Sequence, residues 1–387
     1  MKNWLVSLSV CLSLVVGFPV WAEELSPAQQ KIEMARRSIE KNPNYAPAYN
    51  ELALALSQRA RETSDVSYYN QALETLEKSF KIAPDNFEGR KTEVWLLLGK
   101  HEFAKARVKA HMLNRQVPDD LTTYALLTDA CVELGQYKEA EEAAQWMLNL
   151  RPGDVRGLTR GAYLRELFGN LQGALEFFQE AYTVTPANET ENRAWILTQM
   201  GHLALLQGRT EISEQFLTKA LTLFPDYHYA LAGMAKVRAA QARYPEAVEL
   251  LQKRYAAASH AENLYDLAEM MDKAGQTKEA EALYREFEQK ALKESPSWDN
   301  SNKELIFYYA DKAAKPKEAL KIAKLERSRR QDVYTRDAYA WALSANGQNR
   351  QALSEIRRAL EVGVQDPSIL HHAQVIAERL KQPGPSS

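Results

Sequence analysis

Apolar side chains recur along this chain at i, i+3, i+4 and i+7, the spacing that gathers them on one face of a helix. Tyr124, Leu127, Thr128 and Cys131 make one such stripe, Leu197, Met200, Gly201 and Ala204 a second, and Leu264, Leu267, Ala268 and Met271 a third. Each mixes large with small residues, so each predicts a helix that can lie close against another. A second kind of helix follows, as in residues 134–152, LGQYKEAEEAAQWMLNLRP. There Gly135 makes the turn, Ala140 permits close approach and Pro152 stops the helix, since proline cannot continue one.

Turn residues corresponding to Gly135 fall at Gly99, Gly169, Gly208, Ala242, Gly275, Ala314 and Gly347, in steps of 36, 34, 39, 34, 33, 39 and 33 residues. Five residues after each turn comes a small side chain: Ala104, Ala140, Ala174, Ser213, Ala247, Ala280, Ala319 and Ala352. A bulky residue there would hold the two helices of a hairpin apart. Pro84, Pro152, Pro186 and Pro225 close the second helices, each twelve residues after Ala72, Ala140, Ala174 or Ser213. A helix–turn–helix unit with a period near 34 is that of tetratricopeptide repeats. Over residues from about 45 to 364 the chain resembles an exported bacterial protein of that family.

The resemblance implies an all-α fold, a right-handed α-solenoid of tandem helix hairpins with the first helices lining the concave side. About nine units occupy residues 46–364, beginning near Ala46, Asp85, Leu121, Val155, Ala194, His228, Ala261, Asn300 and Val333. The first departs from the pattern by a lengthened connection at 59–72, the second by Lys91 at a usually apolar position, and the eighth by Ala314 and Pro316 at its turn. The two longer steps predict polar loops at 186–193 and 293–302. Residues 23–45 and 365–380 read as capping helices, which an array needs to cover its apolar ends, and 381–387 as a disordered tail.

Residues 1–22 differ from all of this. Lys2 gives a positive start, residues 4–16 are apolar, and Val20-Trp21-Ala22 offers a cleavage site, so a signal peptide removed after Ala22 and a periplasmic or secreted chain are expected. No later stretch is apolar enough to span a membrane. Once Cys11 leaves with that segment, Cys131 stands alone, in an apolar helical stretch where a buried structural thiol is expected. The formal charge of −2 is spread over many acids and bases, which argues against a nucleic-acid partner.

Catalytic signatures are absent: there is no HExxH pair, Gly-x-Ser-x-Gly elbow, phosphate-binding Gly-rich loop or Cys-x-x-Cys cluster. No enzyme activity, cofactor or metal is expected. The basic stretch 321–330 reads as a solvated helix end favoured by the helix dipole. The family resemblance assigns the concave surface to Arg156, Arg160 and Tyr163, then Trp195, Gln199 and His202, then Tyr229 and Lys236, and then Glu262, Tyr265, Asp266 and Glu269. Tyr308, Tyr334 and Trp341 extend it. This strip runs from arginines to carboxylates, a polarity that would orient a bound ligand. The expected function is a periplasmic adaptor that binds a peptide or partner protein in its groove, in a setting such as envelope assembly or secretion. The alternative is a scaffold that self-associates or bridges subunits through its convex face, for which Trp298 in a polar loop is a motive.

Overall fold

The computed structural model describes residues 25–296 and 300–381, and among these it contains twenty α-helices and no strand. The expected signal peptide over 1–22, the expected tail beyond Lys381 and Trp298 lie outside the described residues. Helix α1 (Pro27–Lys41) precedes the hairpins α2 (Ala46–Thr63) with α3 (Ser67–Ile82), α4 (Phe87–Gly99) with α5 (Phe103–Gln116), and α6 (Leu121–Glu133) with α7 (Tyr137–Leu150). Next come α8 (Val155–Leu167) with α9 (Leu171–Val184), α10 (Thr190–Leu206) with α11 (Thr210–Leu223), and α12 (His228–Ala240) with α13 (Tyr244–Ala257). The last hairpins are α14 (Ala261–Lys273) with α15 (Thr277–Glu294), α16 (Asn302–Asp311) with α17 (Pro316–Arg329), and α18 (Val333–Ala345) with α19 (Asn349–Leu360), followed by α20 (Pro367–Lys381). Each helix packs on its sequence neighbours, and α2 on α4, α4 on α6, α6 on α8, α10 on α12 and α16 on α18 pack first helix on first helix, so the fold is an α-solenoid.

Local chemistry explains where helices start and stop. Ser26 and Gln29 form a capping box at α1, and the side chains of Asn86, Asp120, Asp154 and Asp332 accept backbone N–H groups at the starts of α4, α6, α8 and α18. The turns within hairpins carry a left-handed residue, with Gly135 at φ 67° and Gly169 at φ 79°. Five residues further on, Ala140, Ala174, Ser213, Ala247, Ala319 and Ala352 are fully buried. Ser213 keeps its hydroxyl satisfied there by donating to the carbonyl of Gly201 at 2.7 Å.

In the second unit the register differs from expectation. The left-handed turn residue is His101 (φ 59°), not Gly99, and the buried small residue is Ala106, while Ala104 is exposed. Histidine is among the few side chains that enter this region readily, and from His101 the step to Gly135 becomes 34 residues. Gly99 serves another purpose: a Cβ there would lie 2.5 Å from the Tyr69 ring. The long steps are also absorbed differently. Much of the extra chain extends helices, α10 to 17 residues and α15 to 18, so the first loop shrinks to 185–189. The first unit likewise lengthens α2 to 18 residues instead of its connection. Lys91 is buried but ion-paired, 2.8 Å from Asp120 and from Glu88.

The array curls until its early turns touch its late connections. Gln331 N donates to the carbonyl of Glu133 at 2.9 Å, Val333 N donates to Tyr137 Oη at 2.9 Å, and the His228 ring meets the carbonyl of Arg61 at 2.8 Å. A Cβ on Gly169 would stand 2.6 Å from the carbonyl oxygen of Gly363. One apolar cluster accordingly joins residues between Val94 and Leu167 to residues between Ala261 and Ile376, while most of the intervening helices build separate clusters. The concave side is therefore an interior rather than an open groove.

Candidate functional site

The first helices of the hairpins face that interior, which holds three linked cavities. One of about 310 Å³ is lined by Arg61, Trp95, Asp129, Arg160, Tyr163 and Arg330. A second, of about 130 Å³, shares Glu133 and Arg330 with the first. A third, of about 450 Å³, shares Lys303 and Tyr334 with the second and is walled by Asp266, Glu269, Glu304 and Asp337. The two ends thus differ in charge balance: arginines stand with Asp129 and Glu133 at one, and carboxylates outnumber Lys236 and Lys303 at the other.

The structure brings together some of the sequence-assigned residues and separates others. Arg160 and Tyr163 line the first cavity, and His202, Lys236, Tyr265 and Glu269 line the third. Arg160 is held in a two-bond pair with Asp129, at 2.9 and 2.5 Å. Arg156 is engaged elsewhere: it grips Asp154 through two 2.8 Å bonds and donates to Thr122 Oγ1, which ties down the start of α8. Trp195 is half-buried with its ring edge-on to Phe178, 5.8 Å between centroids, so it serves the core. Gln199 is half-buried and lines none of the three cavities. Tyr229 lies against His228 with the two rings tilted and 3.9 Å between centroids, beside the carbonyl of Arg61. Of the further aromatics, Tyr308 packs against Tyr284 and Phe287, and Trp341 stacks on His372 while donating to Asp311.

Sequence reasoning missed Arg61, Trp95 and Asp129, although a signal for them exists. Arg61, Trp95, Asp129 and Tyr163 follow one another at steps of 34, and His202, Lys236 and Glu269 continue the same column at steps of 39, 34 and 33. Extending the column backward from Tyr163 finds all three. Arg330 and Glu133 had no such signal. Arg330 sits just past the end of α17, in the stretch read as a solvated helix end, and reaches the interior because the array closes; its guanidinium lies 2.8 Å from His101 Nδ1 and 5.1 Å from the Phe103 ring.

Confinement shapes the titration of these groups. Burial pushes the Glu133 carboxyl up to about 7, with Asp332 and Asp129 adding to the shift and Arg330 and Lys303 opposing it. Its side chain is 30% exposed, but the exposure opens on the cavities it lines. Burial raises Glu269 as well, and pushes the Tyr163 hydroxyl well above its usual range. Glu262 goes the other way: burial alone would raise it, yet Arg254 and Lys303 draw it to about 2. Arg254 also bonds Asp266. Cys131 is buried and its thiol is pushed up to about 12 by burial, so it is not poised as a nucleophile. Among the described residues, no group of three His, Cys, Asp or Glu side chains stands close enough to hold a metal ion, and no helix is long and apolar enough to cross a membrane.

The Glu133 shift predicts a pH dependence with a definite sign. A carboxyl whose folded pKa exceeds its ordinary value of 4.5 binds more protons in the folded state between those two values. Its contribution to stability is complete below about 4.5 and is lost as pH rises through about 7. Glu133→Gln stays neutral throughout, so wild type should lose stability relative to this variant between pH 4.5 and 7. Urea unfolding of both proteins at pH 5 and pH 8 checks this; parallel pH profiles would contradict it.

No family model matches the sequence, and no curated protein matches it. Solved structures do. The chain is similar to the APC/C hetero-tetramer Cut9–Hcn1, with a TM-score of 0.52 and 12% identity over 89% of this chain, and it spans 58% of the length of that chain. It is also similar to human IFIT1, solved as a dimer with PPP-AAAA, with a TM-score of 0.53 and 15% identity over 86% of this chain and 87% of that one. Identities this low establish the architecture and nothing finer. By structural similarity the chain is a helical protein of tetratricopeptide-repeat type, all-α, with its twenty described helices packed pairwise into a solenoid.

Proposed function

We propose that this protein is a non-enzymatic, exported adaptor that holds an extended segment of a partner protein in the interior lined by its first helices. The observation that carries this is the run of linked cavities, with Arg61, Arg160 and Arg330 at one end and Asp266, Glu269 and Asp337 at the other. A cation-rich end, where the arginines are partly offset by Asp129 and Glu133, and a carboxylate-rich end together favour one direction of a threaded chain. Trp95 and Tyr163 beside the arginines supply the aromatic and guanidinium surface on which binding energy concentrates. Export rests on the N-terminal sequence pattern, and envelope assembly or secretion is the setting it favours.

The test is capture from a cell-envelope extract with wild type and the Arg160→Ala, Tyr163→Ala double variant. Affinity for the captured partner is expected to fall at least tenfold, which corresponds to about 1.4 kcal/mol, with helical content unchanged. Undiminished capture by a folded double variant would sink the proposal. One observation favours a second role as a bridging scaffold. Val108 and Met112 on α5, and Trp146 and Leu150 on α7, are exposed apolar pairs one helical turn apart.

A further inference from the structure

The interior is closed by contacts between segments far apart in sequence, and their character suggests a moving part. Residues 330–333 connect α17 to α18 and lie against the α4–α5 and α6–α7 turns. Across this seam Gln331 N donates to Glu133 O, Val333 N donates to Tyr137 Oη, and Arg330 meets His101 and covers the Phe103 ring. Gly135 fits only because it has no side chain, since a Cβ would stand 2.6 Å from the Gln331 carbonyl oxygen. We propose that residues 330–333 are a latch that shuts the superhelix over its own interior, and that a partner segment gains the interior when the latch parts from the α4–α5 and α6–α7 turns.

Three features fit a latch better than a fixed joint. The hydrogen bonds across it use the connection, the last carbonyl of α6, the first N–H of α18 and one tyrosine hydroxyl, groups outside the helical ladders, so they can break without unwinding a helix. The start of α18 is secured independently, because Asp332 accepts from the backbone of Tyr334 and Thr335 whether or not Val333 N reaches Tyr137. The latch also stands at the cavities themselves: Arg330 and Glu133 line both the first and the second. Parting would therefore open the middle of the interior, between its arginine-rich and carboxylate-rich ends. Continuing the seam, Gly363 (φ 111°) lies against the Phe168 backbone, where a Cβ would meet the carbonyl at 2.8 Å.

The inference rests on the interior being the partner's seat, but its test needs no partner. Gly135→Ala places a methyl group against Gln331 and also strains a left-handed turn. Gly208→Ala strains an equivalent turn, at φ 71°, with nothing within 4 Å of the added Cβ, so it controls for the turn alone. Amide hydrogen exchange should show Gln331 and Val333 exchanging at least tenfold faster in Gly135→Ala, with α18 still protected and Gly208→Ala at the wild-type rate. Tyr137→Phe, which removes only the hydroxyl, should raise Val333 exchange alone, and it serves if Gly135→Ala does not fold. A Tyr163→Cys reporter should react at least tenfold faster with a polyethylene-glycol maleimide when combined with Gly135→Ala, relative to the parent chain. Equal effects of the two alanine variants, or exchange of Gln331 and Val333 only together with all of α18, would overturn the latch. Either result leaves the capture experiment to decide the proposed function separately.

Discussion

Replacing Phe287 by alanine is expected to cost about 3–5 kcal/mol, among the largest effects available to a single substitution in this fold. Phe287 on α15 is fully buried, with its ring 5.1 Å from that of Tyr265 and perpendicular to that of Tyr308 at 5.8 Å. Tyr284 stacks on Tyr308 at 5.3 Å, so four aromatic rings from α14, α15 and α16 support one another. Alanine would leave a cavity among rings that cannot all move inward, because each is held by the next. In an open solenoid such a loss would stay with the neighbouring hairpins. Here the same apolar cluster continues to α4–α8, so the loss should spread to the early half as well. Hydrogen exchange with denaturant unfolding checks both parts: protection should fall in α14–α17 and, more weakly, in α6–α8, while α2 and α3 keep theirs. Loss confined to α14–α17 would mean that the closure transmits no stability.

Most of this architecture is legible in the sequence because it is local. Gly135, Ala140 and Pro152 each answer a question about their own hairpin: where to turn, how near to approach and where to stop. The one register error, Gly99 for His101, came from preferring a glycine that lies two residues before the left-handed turn. Period alone, counted back 34 residues from Gly135, selects His101. The closure was not legible. It depends on the small rotation between successive hairpins, summed over the array, and no residue of one hairpin encodes that sum. Arg330, Glu133 and Gln331 take their significance from it.

The candidate site divides in the same way. Positions repeated once per hairpin, such as Tyr163, His202, Lys236 and Glu269, do face the interior. Positions two turns of helix earlier were less safe, since there the helix can present a side chain to its neighbour. Trp195 turned to Phe178, and Arg156 found Asp154 at its own helix start. A polar side chain with a local partner two residues away takes it before any ligand arrives.

A partner held inside the superhelix should touch its inner face and leave its outer face untouched. Photo-crosslinking distinguishes the two faces, with p-benzoylphenylalanine installed in turn at Tyr163, Lys236 and Trp146. Tyr163 lines the first cavity, Lys236 lines the third, and Trp146 is 45% exposed on the outer helix α7. The expected result is adducts from positions 163 and 236 that map to one continuous segment of the same partner, with none from position 146. Adducts from position 146 with none from 163 or 236 would contradict the account and point to the outer surface as the working face.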